Sequence, residues 1–330
     1  MANGTMSTLV TGAAGFLGRA VAGALTERAA VFDRVTTTDC VFDGRVGEVG
    51  DLSDPMFQRR LFAEPVDCIF HLAGLVSGRA EADFEAGKRA NLDASITLLE
   101  HCRKQHQGGG PRVRLIFASS IAVFGEPPPQ GIDEATPAMP RLSYGAHKLA
   151  IEVLVDDYTR RGFIDGRVLR LAGVVVRPPL PNGALSSFNS DIFREPLAGR
   201  NFQCPLPEHA TIWLTSLGHA VSNLLAMASI KADVLGTSRV VTAPALPATL
   251  GDIARALGGI DAAAPDRVQF AQSWDKALLA QFGSWPPNAT FDRARSLALK
   301  VSASIGELMR EEQARGALSV SRATAGGARR

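Results

Sequence analysis

Scarcity comes first in this chain of 330 residues. It has two tyrosines, Tyr144 and Tyr158, against sixteen phenylalanines, so chemistry that requires a phenol has two candidates. Its four cysteines (Cys40, Cys68, Cys102, Cys204) form no CxxC pair and no regular spacing. That excludes a disulfide framework and leaves them as packing residues of a reducing compartment. No apolar run approaches the roughly 18 residues that a membrane span needs, and Met1 to Thr8 contains no basic stretch leading into an apolar one. A cytoplasmic protein with no membrane partner is the expectation. Charge of one sign is missing too: 35 Lys plus Arg against 33 Asp plus Glu leave a net +2, too little for a general nucleic-acid binder.

What is present is an ordinary folded composition, 46% hydrophobic and 21% charged, which rules out disorder, collagen and fibre. At this length about three quarters of the unfolded chain's surface can be buried, so the core needs no covalent staples. Short apolar runs alternate with amphipathic stretches: Ser7–Thr11 then Phe16–Ala29, Val35–Asp39, Cys68–Ala73 then Phe84–Arg103, Val113–Ser119, Tyr144–Arg161 and Val168–Leu171. Alternation of this kind predicts an α/β fold of the Rossmann type, a doubly wound parallel sheet with helices on both faces, because each parallel strand needs a crossover. The expected division is a dinucleotide-binding core over 1–176, with 214–242 returning to it. Residues 177–213 and 243–315 form a smaller C-terminal substrate-binding region, and Gly316–Arg330, rich in Gly, Ala, Ser and Arg, reads as a disordered tail.

The first strand runs directly into Gly12-Ala13-Ala14-Gly15-Phe16-Leu17-Gly18. Gly12 permits a tight turn, Gly15 lets the backbone approach a pyrophosphate, and Gly18 lets helix and strand pack closely, while the helix N-terminus offers unpaired N–H groups to an anion. Asp39 ends the second strand twenty-one residues after Gly18, where a carboxylate can bind the adenosine ribose and disfavour a 2′-phosphate. The spacing therefore points to NAD, with Arg45 as the residue that could instead meet a phosphate.

Tyr144 and Lys148 stand four apart, on one face of a helix. A phenol with pKa near 10 is ionised about one time in a thousand at pH 7, and a cation that moved it to about 7 would supply roughly 4 kcal/mol toward general-base catalysis. Tyr158 has Gly162 at the same spacing and reads as a packing aromatic. Ser119 and Ser120 end the preceding strand, at the sheet edge where ligands bind in open α/β folds. Cys102 and His106 share a helix face beside His101, but no further ligand lies nearby in sequence, so no metal is expected. His147, inside the Tyr-Lys segment, reads as a solvated histidine. Arg177 and Arg194 are candidates to hold a carboxylate by paired hydrogen bonds, with Asn182, Ser186 and Trp213 as further lining.

In order, the glycine turn, Asp51-Leu52, His71-Leu72-Ala73-Gly74, Asn91-Leu92-Asp93, Ser119-Ser120 with Val123-Phe124-Gly125, Tyr144-Gly-Ala-His-Lys148 and Arg177-Pro178 resemble the extended short-chain dehydrogenase/reductases. Within that superfamily, Val76-Ser77-Gly78, Ala80–Phe84, Arg161–Gly166, Val174–Pro178, Ser186-Ser187-Phe188 and Arg194–Gly199 resemble the D-erythronate dehydrogenase family. The resemblance implies a catalytic trio of Ser120, Tyr144 and Lys148, with Ser119 the alternative serine. It implies cofactor contacts from Gly12, Gly15, Phe16, Leu17, Gly18, Asp39, Asp51, Leu52, Ala73, Asn91, Ser119, Tyr144, Lys148 and Leu171, and substrate contacts from Ser77, Ser120, Tyr144, Arg177, Asn182 and Arg194. Phe124 stands where relatives carry a tyrosine, and Leu171-Ala172-Gly173 where Pro-Thr would follow the leucine.

The activity so implied is NAD-dependent oxidation of D-erythronate, a small aldonic acid, at its 2-hydroxyl to 2-dehydro-D-erythronate. Tyr144 would act as base and Lys148 would depress its pKa. A homodimer is the oligomeric state the superfamily suggests. The rival is a nucleotide-sugar epimerase or dehydratase, which uses the same trio but keeps its NAD and returns the hydride. A catalytically silent NAD-binding regulator would have no use for Tyr144 and Lys148 together.

Overall fold

The computed structural model describes residues 6–32, 34–42, 47–126, 128, 130–179 and 186–318. Asn182, Arg45 and the part of the expected tail from Ser319 onward lie outside the described residues. The strands are β1 (Ser7–Thr11), β2 (Arg34–Asp39), β3 (Glu48–Val49), β4 (Cys68–His71), β5 (Arg114–Ser120), β6 (Asp165–Leu171), β7 (Gly173–Val175), β8 (Phe202–Cys204), β9 (Thr211–Ser216), β10 (Val240–Thr242), β11 (Leu246–Thr249) and β12 (Val268–Phe270).

Seven of them form one parallel sheet in the order β10-β6-β5-β4-β1-β2-β3. Strand order reverses between β1 and β4, so the crevice above their C-terminal ends is the topological switch point of a doubly wound fold. The strands are near-continuous apolar runs because helices cover both faces: Val10, Phe70, Ile116 and Leu169 belong to one buried cluster, while Leu9, Ile69, Leu115, Phe117 and Val168 belong to the other.

Two small sheets, β11-β9-β7 and β12-β8, enclose a further buried cluster around Phe188, Ile192, Phe193, Leu250 and Leu308. Three expectations change here. Gly173–Val175 pairs in parallel with β9 rather than with the main sheet, and residues 214–216 belong to β9 in the same small sheet. The return to the main sheet runs through the Leu217–Ser229 helix and ends in β10 beside β6. Leu318, expected in a disordered tail, is buried in this further cluster with Phe188 and Leu308. Cys68, Cys102 and Cys204 are buried as expected, but Cys40 is exposed at the end of β2.

Asp165 ties the return crossing to the sheet. Its carboxylate accepts from Arg167, Arg114 and Arg239, and the fully buried Arg167 guanidinium in turn donates to the carbonyls of Met227 and Ile230 at the end of the Leu217–Ser229 helix. Burial alone would raise the Asp165 pKa, but the Arg167 hydrogen bond and the surrounding cations outweigh it and hold the carboxyl below its ordinary value. Asp165→Asn leaves Arg167 buried without its partner and is expected to cost about 3–5 kcal/mol at pH 7, read by urea unfolding. Because the folded-state pKa is lowered, the carboxylate's contribution is fully present above about pH 4 and disappears as pH falls through the lowered value. The gap between wild type and variant should stay constant from pH 7 to 5 and close below about 4.

Candidate active site

A cavity of about 430 Å³ opens at the switch point. Its floor is the glycine turn. Gly12 adopts φ +70°, and a Cβ there would lie 2.6 Å from the Ala73 nitrogen; a Cβ on Gly18 would lie 2.0 Å from the Gly12 oxygen. No side chain other than hydrogen can occupy either place, which is how the Phe16–Thr26 helix comes to start against the sheet. Its first turn has no acidic residue and no side-chain cap, so its N–H groups face Gly15 and the cavity unspent. This cradle fits a pyrophosphate.

Asp39 braces the turn from the side. Its Oδ2 accepts from the Ala14 N–H at 2.9 Å and its Oδ1 from the Cys40 N–H at 2.7 Å, fixing a carboxylate at the end of β2. Asp51 lines a separate shallow cavity with Val49, Gly50, Asp54, Met56, Phe57 and Arg60, beside the end of β2, while Leu52 is buried beneath it. Phe16, Leu17, Leu171 and Ser77 all line the main cavity. Ala73 does not, although its neighbours Leu72 and Gly74 do.

Asn91 stands behind the cavity wall. Its amide is spent on the backbone of Leu75, accepting from the N–H at 2.8 Å and donating to the carbonyl at 3.1 Å, so it fixes the loop after β4 without lining the cavity. The Arg89–Asp93 segment that carries it is one π-helical turn, continued by the Ala94–Gln107 helix. Behind it, the buried His71 ring bridges Thr11 Oγ1 at 2.7 Å and Ser95 Oγ at 2.9 Å. Burial, aided by the Lys148 charge, holds His71 neutral by lowering its pKa to about 3.

Tyr144 and Lys148 both line the cavity, from the first two turns of the Ser143–Arg160 helix. Lys148 Nζ donates to the Ala118 carbonyl at 2.9 Å and lies over the rings of Phe117 and Tyr144, 4.7 and 5.7 Å from their centroids. Burial lowers its pKa to about 8 against the pull of Glu152. The two serines have different fates. Ser119 Oγ donates to Glu152 Oε1 at 2.5 Å, and Glu152 holds Arg170 in a buried, two-pronged ion pair. Ser120 Oγ accepts from the Ala122 N–H at 3.1 Å, and Ser120 lines the same cavity as Tyr144.

Burial raises the Tyr144 pKa; Arg177 and then Ser120 lower it. The sequence pointed to Lys148 for that role. Lys148 lies under the Tyr144 ring, but in the cofactor-free protein the cation that lowers the Tyr144 pKa is Arg177. Arg177 lines the cavity, with its Nε donating to the Val174 carbonyl at 3.1 Å. Arg194 does not line it: its guanidinium is held by Asp191, Glu195 and the Arg177 carbonyl, so it supports the segment that carries Arg177.

Ser186 and Trp213 line the far wall, where the Trp213 indole donates to the Pro286 carbonyl at 2.8 Å and packs on Trp285 at 5.2 Å. The sequence reading missed Asn189, Gln281, Arg141 and Trp285, all of which line the cavity. Only the string Ser186-Ser187-Phe188, ending one residue before Asn189, signalled that segment. His147, read as solvated, is buried beside the Phe84 ring. Tyr158 lies away from the cavity, donating to Glu100 at 2.5 Å. Among the described residues no helix is long and apolar enough to cross a membrane.

Residues 8–202 match the NAD dependent epimerase/dehydratase family. The chain is 40% identical to the D-erythronate dehydrogenase of Cupriavidus necator, over 92% of this chain and 97% of that one. It is 32% identical to the D-erythronate dehydrogenase of Haemophilus influenzae, over 93% and 98%. Among solved structures it resembles a nucleoside-diphosphate-sugar epimerase from Agrobacterium tumefaciens, with TM-score 0.85, 34% identity and 93% of each chain covered. The glycine cradle, the braced Asp39 and these similarities have one reading: the chain belongs to the NAD-dependent epimerase/dehydratase family, groups within it with the D-erythronate dehydrogenases, and is an NAD-dependent oxidoreductase.

Proposed function

We propose that the protein oxidises D-erythronate at its 2-hydroxyl to 2-dehydro-D-erythronate. The observation that carries this reading is that Arg177 and Tyr144 line one cavity, with the Arg177 charge acting on the phenol. A base that takes a proton from a carbinol, with a cation next to it, suits a substrate whose carboxylate is on the neighbouring carbon, which is a 2-hydroxy acid. The names of the two relatives supply the four-carbon sugar acid.

On this reading Ser120 accepts or donates a hydrogen bond at the substrate hydroxyl and keeps it against Tyr144. The phenolate takes the hydroxyl proton as the C2–O bond becomes a carbonyl. Bound NAD supplies the acceptor for the hydride that leaves C2. Lys148, anchored on Ala118, presents a buried ammonium beneath the tyrosine ring, and Glu152 helps to keep it protonated. Arg177 holds the carboxylate and draws the Tyr144 pKa down in one contact. Proton transfer by a positioned base contributes typically 10²–10⁴-fold, and the rest comes from orientation.

Purified protein with NAD and a panel of aldonates of varied length and stereochemistry should form NADH, seen by absorbance, fastest with D-erythronate. Tight NAD with no net NADH from any aldonate would overturn the reading in favour of an epimerase or dehydratase. Tyr144→Phe should lower kcat at least about 100-fold with NAD binding retained, measured by quenching of tryptophan fluorescence. Arg177→Gln should lower kcat/KM for D-erythronate about 10- to 150-fold, the value of a hydrogen bond to a charged group. It should also move the acid limb of the pH profile upward: activity needs the phenolate, and removing a cation that lowers its pKa delays ionisation to higher pH.

A further inference from the structure

One polar group in the cavity is used by neither the proton transfer nor the carboxylate contact. Asn189, in the first turn of the Phe188–Leu197 helix, is 7% exposed and lines the cavity. Its Oδ1 is buried with no hydrogen-bond partner among the described residues. The same helix spends its other polar side chains on protein: Ser190 Oγ accepts from the Arg177 N–H at 3.0 Å, and Arg194 is held between Asp191, Glu195 and the Arg177 carbonyl. Asn189 is therefore fixed, through its neighbours, to the segment that carries Arg177, while its own amide oxygen is left over.

The opposite side of the amide is equally particular. A Cβ on Gly173 would lie 3.2 Å from Asn189 Nδ2 and 2.9 Å from the Trp213 carbonyl oxygen, so β7 keeps its glycine where the amide and the aromatic wall converge. An orphaned buried acceptor is costly, and a ligand hydroxyl recovers that cost by donating to it. A carboxamide offers both acceptor and donors, the complement of an alcohol, which is donor and acceptor at once.

We infer that Asn189 is a specificity-determining residue that reads the hydroxyls of the substrate beyond C2, accepting at Oδ1 and donating from Nδ2. The inference rests on the 2-hydroxy acid reading above. With Arg177 on the carboxylate and Tyr144 on the 2-hydroxyl, the rest of a four-carbon aldonate is C3 and C4, each bearing one hydroxyl. A site built to hydrogen-bond a substrate hydroxyl discriminates against the analogue lacking it far more strongly than an apolar pocket can.

The test compares kcat/KM for D-erythronate with that for (R)-2-hydroxybutyrate, which has the same four carbons and the same C2 configuration but neither distal hydroxyl. The ratio of the two should fall about 100-fold in Asn189→Leu, through loss on D-erythronate alone. Because both substrates are measured on one preparation, the ratio is independent of any misfolded fraction. Asn189→Asp, nearly the same in shape, keeps an acceptor but loses the donor, and its ratio should fall as well. Wild-type oxidation of D-erythronate with a ratio unmoved in both variants, whether by equal loss or by none, overturns the inference alone. Failure of the wild type to form NADH from D-erythronate overturns the substrate reading and this inference with it.

Discussion

Everything at the site hangs on a contact between backbones. Where the chain leaves β1 it turns at Gly12 and passes so close to Ala73 and to Gly18 that side-chain atoms at Gly12 or Gly18 would overlap main-chain atoms. That approach brings the start of the Phe16–Thr26 helix over the sheet's switch point, aims its free N–H groups into the cavity and lets Asp39 reach the Ala14 amide. The same edge carries the ends of β4 and β5, so the cofactor cradle and the Ser120–Tyr144–Lys148 group share one crevice without any special device to join them.

Electrostatics then divides the work between two cations. Lys148 is buried, tethered to the Ala118 carbonyl and backed by the Glu152–Arg170 pair, through which Ser119 is also held. Its charge lies under the ring of Tyr144. Arg177 lines the same cavity, supported by Ser190 and Arg194 through its backbone. On the proposed reading one cation, Arg177, tunes the tyrosine and holds the substrate's carboxylate, and the other remains free to serve the cofactor side.

Local patterns in the sequence carried much of this. Alternating apolar runs, the glycine spacing, Asp39 at a strand end and a tyrosine one helical turn from a lysine are short-range features, and their chemistry follows from backbone geometry. Which polar groups are already spent is a long-range matter that spacing does not encode. Asn91 is consumed by Leu75, sixteen residues away, and Arg194 by the carbonyl of Arg177, seventeen away, whereas Asn189 is left with a free acceptor. The short run Gly173–Val175 is compatible with either sheet, and only packing assigns it to β9. His147 is buried because the Phe84 segment folds over it, which the helix's own sequence could not reveal.

Having only two tyrosines makes the central electrostatic claim directly measurable. Burial and Glu100 push the Tyr158 hydroxyl up to about 12, and burial raises Tyr144 as well, so the transition belonging to Tyr144 is the one that Tyr144→Phe removes. Tyrosinate absorbance near 295 nm, followed in a spectroscopic pH titration of wild type and Arg177→Gln, reads that ionisation without any substrate or turnover. The account predicts one transition that disappears in Tyr144→Phe and moves to higher pH in Arg177→Gln. A Tyr144 transition at the same pH with and without Arg177 would contradict it.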